Sequence, residues 1–294
     1  MSISYGTEVS GNVLTCLHEA GLDYQVATTP VLFKPENDAD ESEETGEFPC
    51  KYVTYRTDTH QPFGVVGSRY RIIQNDTLYS FLDYVSDFQI TNAGSLRGGG
   101  WICGKFPEQD VLGEVFSPYV FFSNSHDGTS QFIVAFTPYR VATKSFVNLG
   151  NASYRFSVRH TTISQHKIRI AQRFVQQSAQ AMDDFRSLVT ETSAKRCSLD
   201  VAKQIFEQVL LCTLREQGKP PKTFGIDQQC LIDTFLSSQN SKYAFTGYGV
   251  LLAVSQFLED VYRLRIRSEE GYLRKSLFRG NPMLLEAYRL VSAL

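Results

Sequence analysis

Three neighbouring residues, Ser125-His126-Asp127, are of types that could do chemistry together. A hydroxyl, an imidazole and a carboxylate are the components of a hydrolase triad, in which the base takes the proton of the nucleophile. Neighbours on an extended chain point to opposite faces, however, and Gly128 completes an Asp-Gly turn signal. The spacing therefore favours a turn, while His126, Asp127 and His160 remain the first candidates for a site assembled from distant segments.

A second pattern lies between Gly99 and Lys105, where glycine and lysine have the spacing of a phosphate-binding loop. Phe106 and Pro107 follow, whereas such a loop needs Ser or Thr for magnesium and then a helix facing the phosphate. The six cysteines form no Cys-x-x-Cys pair, and no two histidines have helical metal-binding spacing. We therefore predict no cofactor, no metal and no ATP chemistry, and we expect a protein that is not an enzyme.

The most distinctive charge feature is the segment from Gly128 to Met182, which contains no Asp or Glu, although 31 of the 294 residues are acidic. Its bases occur at an ordinary frequency, so the missing counter-charge is what sets the segment apart. The seven bases are Arg140, Lys144, Arg155, Arg159, Lys167, Arg169 and Arg173.

Alternation predicts a strand over Tyr154–His160 that presents Arg155 and Arg159 on one face and apolar side chains on the other. Arg69 and Arg71 alternate with Tyr70 and Ile72 in a second predicted strand, Gly64–Ile73, and are expected to extend the same basic surface.

A long amphipathic helix is predicted after Ser164, where the hydrophobic period changes to about 3.5 residues. His166, Arg169 and Arg173 fall on one helical face, roughly opposite the apolar stripe. That stripe consists of Ile168, Ala171, Val175, Met182, Phe185 and Val189. We expect the basic helix face to continue the basic strand face as one surface.

Unopposed bases beside aromatic rings suit a single-stranded nucleic acid, because the charges follow the phosphates while rings such as Tyr70 and Tyr139 stack on bases. The alternatives are a solvated basic face and an interface with the acidic loop of a neighbouring subunit. That loop, Glu36–Glu47, carries seven acids and no base, and is interpreted as solvated or as a flap that competes with nucleic acid. The basic segment Arg263–Arg279 is either a second contact site, a solvated helix end or a subunit contact.

At the level of fold, short β-rich runs followed by helical periodicity predict an α+β protein with a mostly antiparallel sheet. We expect one composite domain over residues 1–294. It divides into an N-terminal segment (1–50), a β-rich part (51–163) and a helical part (164–294). The sequence has neither a signal peptide nor a membrane span, and unpaired cysteines suit a reducing compartment, so we expect a cytoplasmic location.

Several short blocks, in order, resemble a family of phage- and plasmid-borne proteins of unknown function over Lys51 to Glu259. The blocks are Arg56-Thr-Asp58, Pro62-Phe-Gly64-Val-Val, Tyr70-Arg-Ile-Ile-Gln74-Asn75, Ser125-His126-Asp127-Gly128, Pro138-x-Arg140-Val141, Arg159-His160-Thr161 and Thr246-Gly-Tyr-Gly249 with Ala253-Val254. After Val141 the family usually has a Cys and an Asn-Thr pair, which this chain lacks, so no role of that Cys transfers.

The mobile-element setting of that family implies DNA metabolism, and the order of a β-rich half and a long basic-faced helix is similar to single-strand annealing proteins. We expect an ATP-independent single-stranded DNA-binding and annealing protein acting in recombination or replication, as a homo-oligomeric ring or filament without membrane contact. The alternatives are an interaction module that binds a host or defence protein, and an enzyme whose residues converge from distant segments.

Overall fold

The computed structural model describes residues 6–34, 45–96, 98–141, 145–146, 155–161, 169, 172–173, 175, 178–212, 223–265 and 281–294. Within them the predicted α+β class is confirmed, because antiparallel sheets fill the N-terminal half and helices fill the C-terminal half. Lys144, His166 and Lys167 lie outside the described residues, as do most of the acidic run and residues 266–280.

Eleven strands are described, in two antiparallel sheets. They are β1 (Thr7–Glu8), β2 (Val26–Phe33), β3 (Gly46–Arg56), β4 (Pro62–Gly67), β5 (Gln89–Leu96), β6 (Gly99–Lys105), β7 (Gln109–Val111), β8 (Glu114–Asn124), β9 (Phe132–Arg140), β10 (Ser145–Phe146) and β11 (Arg155–Val158). The large sheet has the order β1-β5-β6-β8-β9-β10, with β7 on β8 and β11 on β9, and the small sheet has the order β2-β3-β4.

Seven α-helices are described. They are α1 (Val13–Glu19), α2 (Asn75–Tyr79), α3 (Ser178–Ala194), α4 (Leu199–Cys212), α5 (Phe224–Phe235), α6 (Gly247–Phe257) and α7 (Pro282–Ser292). Short 3₁₀ helices occupy Ser80–Tyr84, Ser238–Tyr243 and Arg263–Arg265, and a π-helical turn, Leu258–Tyr262, extends α6. None of the helices in these ranges is long and apolar enough to cross a bilayer.

The core forms because the central strands bury both of their faces. Ile102, Phe122 and Val134 are paired across β6, β8 and β9, and all three belong to the main hydrophobic cluster. That cluster also includes side chains of the C-terminal helices, and Phe116 of β8 meets Phe185 of α3 at a ring distance of 4.9 Å. Trp101 packs against Phe121 on the opposite sheet face. The large sheet is therefore covered on both sides.

The predicted apolar stripe is confirmed where it is described, since Val175, Met182, Phe185 and Val189 are all buried. Ile168 and Ala171 lie outside the described residues.

The predicted strand Gly64–Ile73 was wrong in its second half, because β4 ends at Gly67. Ser68 and Arg69 form a turn in which the Tyr70 amide donates to the Gly67 carbonyl at 2.9 Å. Arg69 and Arg71 consequently lie in a loop rather than on a strand face.

Candidate functional site

The turn between β8 and β9, Ser125–Thr129, is the point at which the two sheets meet. The Thr54 hydroxyl of β3 donates to the His126 carbonyl at 2.6 Å, and the Tyr70 hydroxyl donates to the Ser125 carbonyl at 2.9 Å. Gly64 of β4 lies so close that a Cβ there would overlap the Asp127 carbonyl oxygen. The predicted turn is thus confirmed, and the small sheet is fixed against it.

The three side chains of Ser125-His126-Asp127 are used for structure. The Asp127 carboxylate accepts hydrogen bonds from the Ser125 hydroxyl and from the Thr129 amide and hydroxyl, the latter two at 2.9 Å and 2.7 Å. His126 is fully buried between Tyr24 and Phe63, and its Nε2 lies 3.3 Å from Asn75 Oδ1. The imidazole therefore does not bridge the hydroxyl and the carboxylate as a triad base would.

Burial also changes the pKa of His126, because the charged imidazole would lose its hydration in these apolar surroundings. It lowers the pKa of His126 to about 4, and the nearby Asp127 opposes the shift only partly. His160 does not join this group directly, since its ring stacks on Tyr70 at 4.9 Å and an interplanar angle of 18°.

On one side of the turn lies a cleft of about 630 Å³, which we call the basic cleft. Three bases line it, Lys51 from β3, Arg69 from the loop after β4 and Arg159 from the end of β11, and all three are exposed. Its described lining contains no Asp or Glu. Hydroxyl groups of Ser68, Thr129, Ser130 and Thr161 complete its polar surface. Such a cleft is suited to an anion with several oxygen atoms.

Two structural devices bring the three bases together. The Arg71 amide donates to the His160 carbonyl at 2.7 Å, which with the Tyr70–His160 stack holds the Arg69 loop against Arg159. In β3 the register against β2 shifts between Pro30 and Leu32, and Cys50 adopts a positive φ of 58°. The pairing of Lys51 with Gly67 brings Lys51 to the start of the Arg69 loop, and exposed Cys50 lies beside it in the cleft wall.

No ion pair to any described residue neutralises Lys51, Arg69 or Arg159. Three like charges at one concave surface repel one another, and a bound anion would relieve that repulsion. The basic cleft therefore favours an anion over a cation or a neutral group.

The prediction for Arg140 was wrong. Arg140 is 2% exposed and forms a bidentate ion pair with Glu114, with Nη2 to Oε1 at 2.9 Å, while its Nη1 donates to Asn240 Oδ1 at 2.9 Å. The reason is that β8 lies beside β9 in the sheet and supplies an acid from outside the acid-free segment. A stretch without acids in sequence thus does have a counter-charge in space.

The expectation of exposed stacking rings was also wrong. Tyr70 is half-buried with its ring on His160, and burial raises the pKa of its hydroxyl above the ordinary value. Tyr139 is half-buried too, with its ring 5.8 Å from that of Tyr119. Neither ring is presented to solvent as an open platform.

The other predicted site residues that the structure describes lie apart from the described lining of the basic cleft. Arg71 is exposed but its Nη1 donates to the Ser68 and Tyr70 carbonyls at 3.2 Å and 3.3 Å. Arg155 is half-buried in β11, whereas Arg169 and Arg173 are exposed helical residues ahead of α3. The structure therefore brings Arg69, Tyr70 and Arg159 to one cleft, and Arg71, Arg140, Arg155, Arg169 and Arg173 are not part of its described lining.

On the other side of the turn is a second cleft of about 610 Å³. Tyr24, Arg56 and Phe63 line it together with Asp127, and Thr129 lines both clefts. The turn thus forms a narrow divide between a basic cleft and a cleft with aromatic walls, which we call the aromatic cleft.

A third and larger cleft, of about 700 Å³, lies elsewhere, among Phe81, Phe106 and Met182. Its described lining includes Asp87 and no Lys or Arg, so it does not suit a polyanion. Nor do any three His, Cys, Asp or Glu side chains in the described part of the chain group as metal ligands.

The phosphate-loop interpretation of Gly99–Lys105 is excluded by the fold, because these residues are strand β6 in the middle of the large sheet. Gly104 lies against the Phe88 ring, where a Cβ would clash. A phosphate loop needs instead a turn that opens a helix.

Lys51, Thr129 and Ser130 were not predicted as site residues. Lys51 lies far from the acid-free segment in sequence and reaches the cleft through its pairing with Gly67 of β4. The short sequence blocks were the feature of the sequence that best indicated the position of the site. Those around Arg56, Gly64, Tyr70, His126 and His160 all converge on the Ser125–Thr129 turn.

A comparison with known protein families covers these blocks from Pro62 onward. A model of a domain of unknown function, DUF932, matches residues 62–278. The chain belongs to this family. No curated protein and no solved structure matches the chain. The family match includes the loop after β4, the turn and β11, and thus most of the residues around both clefts.

Proposed function

We propose that this protein binds single-stranded DNA in the basic cleft and promotes strand annealing without ATP, in recombination or replication of a phage or plasmid. The observation that carries the proposal is the convergence of Lys51, Arg69 and Arg159, from three separate segments, on a cleft whose described lining has no acid. Phosphate oxygens are the anions that such a cluster fits best.

The concave shape of the site favours a single strand over a duplex. A flexible strand can bend its phosphates into a cleft, whereas a duplex is stiff and presents its phosphates on a convex surface. The contacts are to the backbone, so binding has little dependence on sequence. Little sequence dependence is what annealing of arbitrary complementary strands requires.

Annealing also requires that two strands be presented to each other, and we therefore propose that the protein acts as a homo-oligomer, as a ring or filament. Exposed Arg169 and Arg173 on the helical residues ahead of α3 supply further positive charge for a strand that extends beyond one protomer.

The test is a charge reversal in the cleft. We expect Arg69→Glu with Arg159→Glu to weaken binding of a labelled oligo-dT at low salt by at least about tenfold, because two attractive charges become repulsive. Lys203→Glu on α4 is the matched control, since Lys203 is an exposed base outside the cleft. It is expected to leave affinity within about twofold.

If the wild-type protein leaves the oligonucleotide unbound at low salt, the proposal fails. The alternative, an interaction module, then predicts that the same charge reversal abolishes capture of an acidic protein partner. Equal affinity of the double variant and the wild type would remove the basic cleft from DNA binding.

A further inference from the structure

The guanidinium of Arg56 is held as a rigid plane at the edge of the aromatic cleft. Its Nε and Nη2 donate to the two carboxylate oxygens of Asp58 at 3.0 Å and 2.7 Å. Its Cζ lies 4.2 Å from the centre of the Tyr24 ring, so the plane rests on an aromatic face. A quarter of the Arg56 side-chain surface remains exposed, and Arg56 lines the cleft.

The backbone around this plane is equally well fixed. The Arg56 amide donates to the Gln61 carbonyl and the His60 amide donates to the Arg56 carbonyl, each at 3.0 Å, which closes the β3–β4 hairpin. The Thr57 amide donates to the Gln25 carbonyl at 3.0 Å. Arg56 therefore loses little conformational freedom if a ligand is placed on it.

We propose that Arg56 is a stacking platform for one base of the DNA strand whose phosphates occupy the basic cleft. This inference rests on the proposed function and adds a base site to it. Thr129 lines both clefts, so a strand crossing the Ser125–Thr129 turn has its phosphates on one side and a base on the other. The Tyr24–Arg56 stack replaces the platform that the half-buried Tyr70 and Tyr139 do not offer.

The chemistry is that of a cation sandwiched between two π faces. Nucleic-acid bases stack on guanidinium planes as they do on aromatic rings, and every base has such a face. Asp58 bonds the edge of the plane and Tyr24 covers one face, so the opposite face is the one offered to a base. A lysine at position 56 would keep the charge and lose the plane.

The experiment compares an oligonucleotide with an abasic strand of the same length, each bound to wild type and to Arg56→Lys. For the wild type we expect the base-containing strand to bind about 5- to 100-fold tighter. For Arg56→Lys most of this preference is lost, through weaker binding of the base-containing strand, while the affinity for the abasic strand stays within about twofold. Asp58→Asn removes the carboxylate that holds the guanidinium. Its preference for the base-containing strand is expected to lie between those of the wild type and Arg56→Lys.

A second measurement does not depend on the folding of a variant. A strand containing 5-iodouracil, irradiated on the wild-type protein, is expected to crosslink to peptides that carry Tyr24 or Phe63. Crosslinks confined to other peptides would overturn the platform. So would an equal decrease, in Arg56→Lys, of the affinities for the base-containing and the abasic strand. Wild-type binding of both strands with equal affinity leaves the proposed function standing and removes only the platform, whereas no binding of either strand removes both.

Discussion

His126 occupies the centre of the junction as a fully buried neutral imidazole. Its pKa falls to about 4 in the folded state, whereas an unfolded chain would show the ordinary value near 6.5. Below pH 6.5 the unfolded state binds a proton that the folded state does not bind. The stability contributed by neutral His126 is therefore complete above pH 6.5 and is lost progressively as the pH falls toward 4.

We expect this one group to reduce the free energy of unfolding by about 2 kcal/mol between pH 7 and pH 4.5. Urea unfolding at the two pH values measures the loss, and His126→Gln provides the comparison because it cannot titrate. Carboxylates that titrate in this range contribute to both proteins, so the difference isolates His126. An equal pH dependence in wild type and variant would contradict the assignment.

Cys50 gives a second prediction at the scale of single residues, because it is exposed in the wall of the basic cleft while Cys16, Cys103 and Cys197 are buried. A maleimide under native conditions is expected to label Cys50 first, with Cys50→Ser as the control. Saturating single-stranded DNA should slow this labelling several-fold if the strand occupies the cleft. Unchanged labelling would place the strand elsewhere.

At the scale of elements, the ion pair of Arg140 and Glu114 joins β9 to β8, and Asn240 ties both to the 3₁₀ helix Ser238–Tyr243. Glu114 is largely buried beside Arg140, with 10% of its side chain exposed. Removal of the arginine would leave a carboxylate without its charge partner in the protein interior.

Arg140→Met is expected to destabilise the fold by about 3–5 kcal/mol, because a buried charge loses its partner. The protein that remains folded should bind single-stranded DNA as the wild type does, since Arg140 is not in the basic cleft. Urea unfolding and fluorescence anisotropy measure the two effects. If Arg140→Met weakens DNA binding and leaves stability unchanged, Arg140 contributes to DNA binding and not to the fold.

Some of these elements could be predicted from the sequence, and others could not. The alternation over Tyr154–His160 located β11, and the apolar stripe located α3, because each pattern follows the period of one element. The pairing of Arg140 with Glu114 depends on strand order, and the place of Lys51 depends on the pairing of β3 with β4. Neither is encoded in local periodicity. The alternation of basic and apolar residues from Arg69 to Ile72 predicted a strand, which was wrong. These residues lie in a loop that is fixed by the stack of Tyr70 on His160, and a loop can carry the same alternation.

The whole molecule is proposed to catalyse annealing without a nucleotide. We expect the wild-type protein to speed pairing of two complementary labelled strands in the absence of ATP, as followed by energy transfer between the labels. Arg69→Glu with Arg159→Glu should reduce the rate toward that of protein-free strands, and Lys203→Glu should not. If the protein binds DNA but does not accelerate strand pairing, the proposed DNA site stands and the proposed annealing activity is wrong.

We propose that three phosphate contacts in the basic cleft bind the strand, and the salt dependence of affinity counts those contacts. For single strands the slope of log K against log salt is about −0.7 per phosphate contact, so three contacts predict a slope of about −2 or steeper. Arg69→Ala should make the slope shallower by about 0.7, and Lys203→Ala should not change it. A wild-type slope near zero, or the same slope in Arg69→Ala as in wild type, would contradict the account.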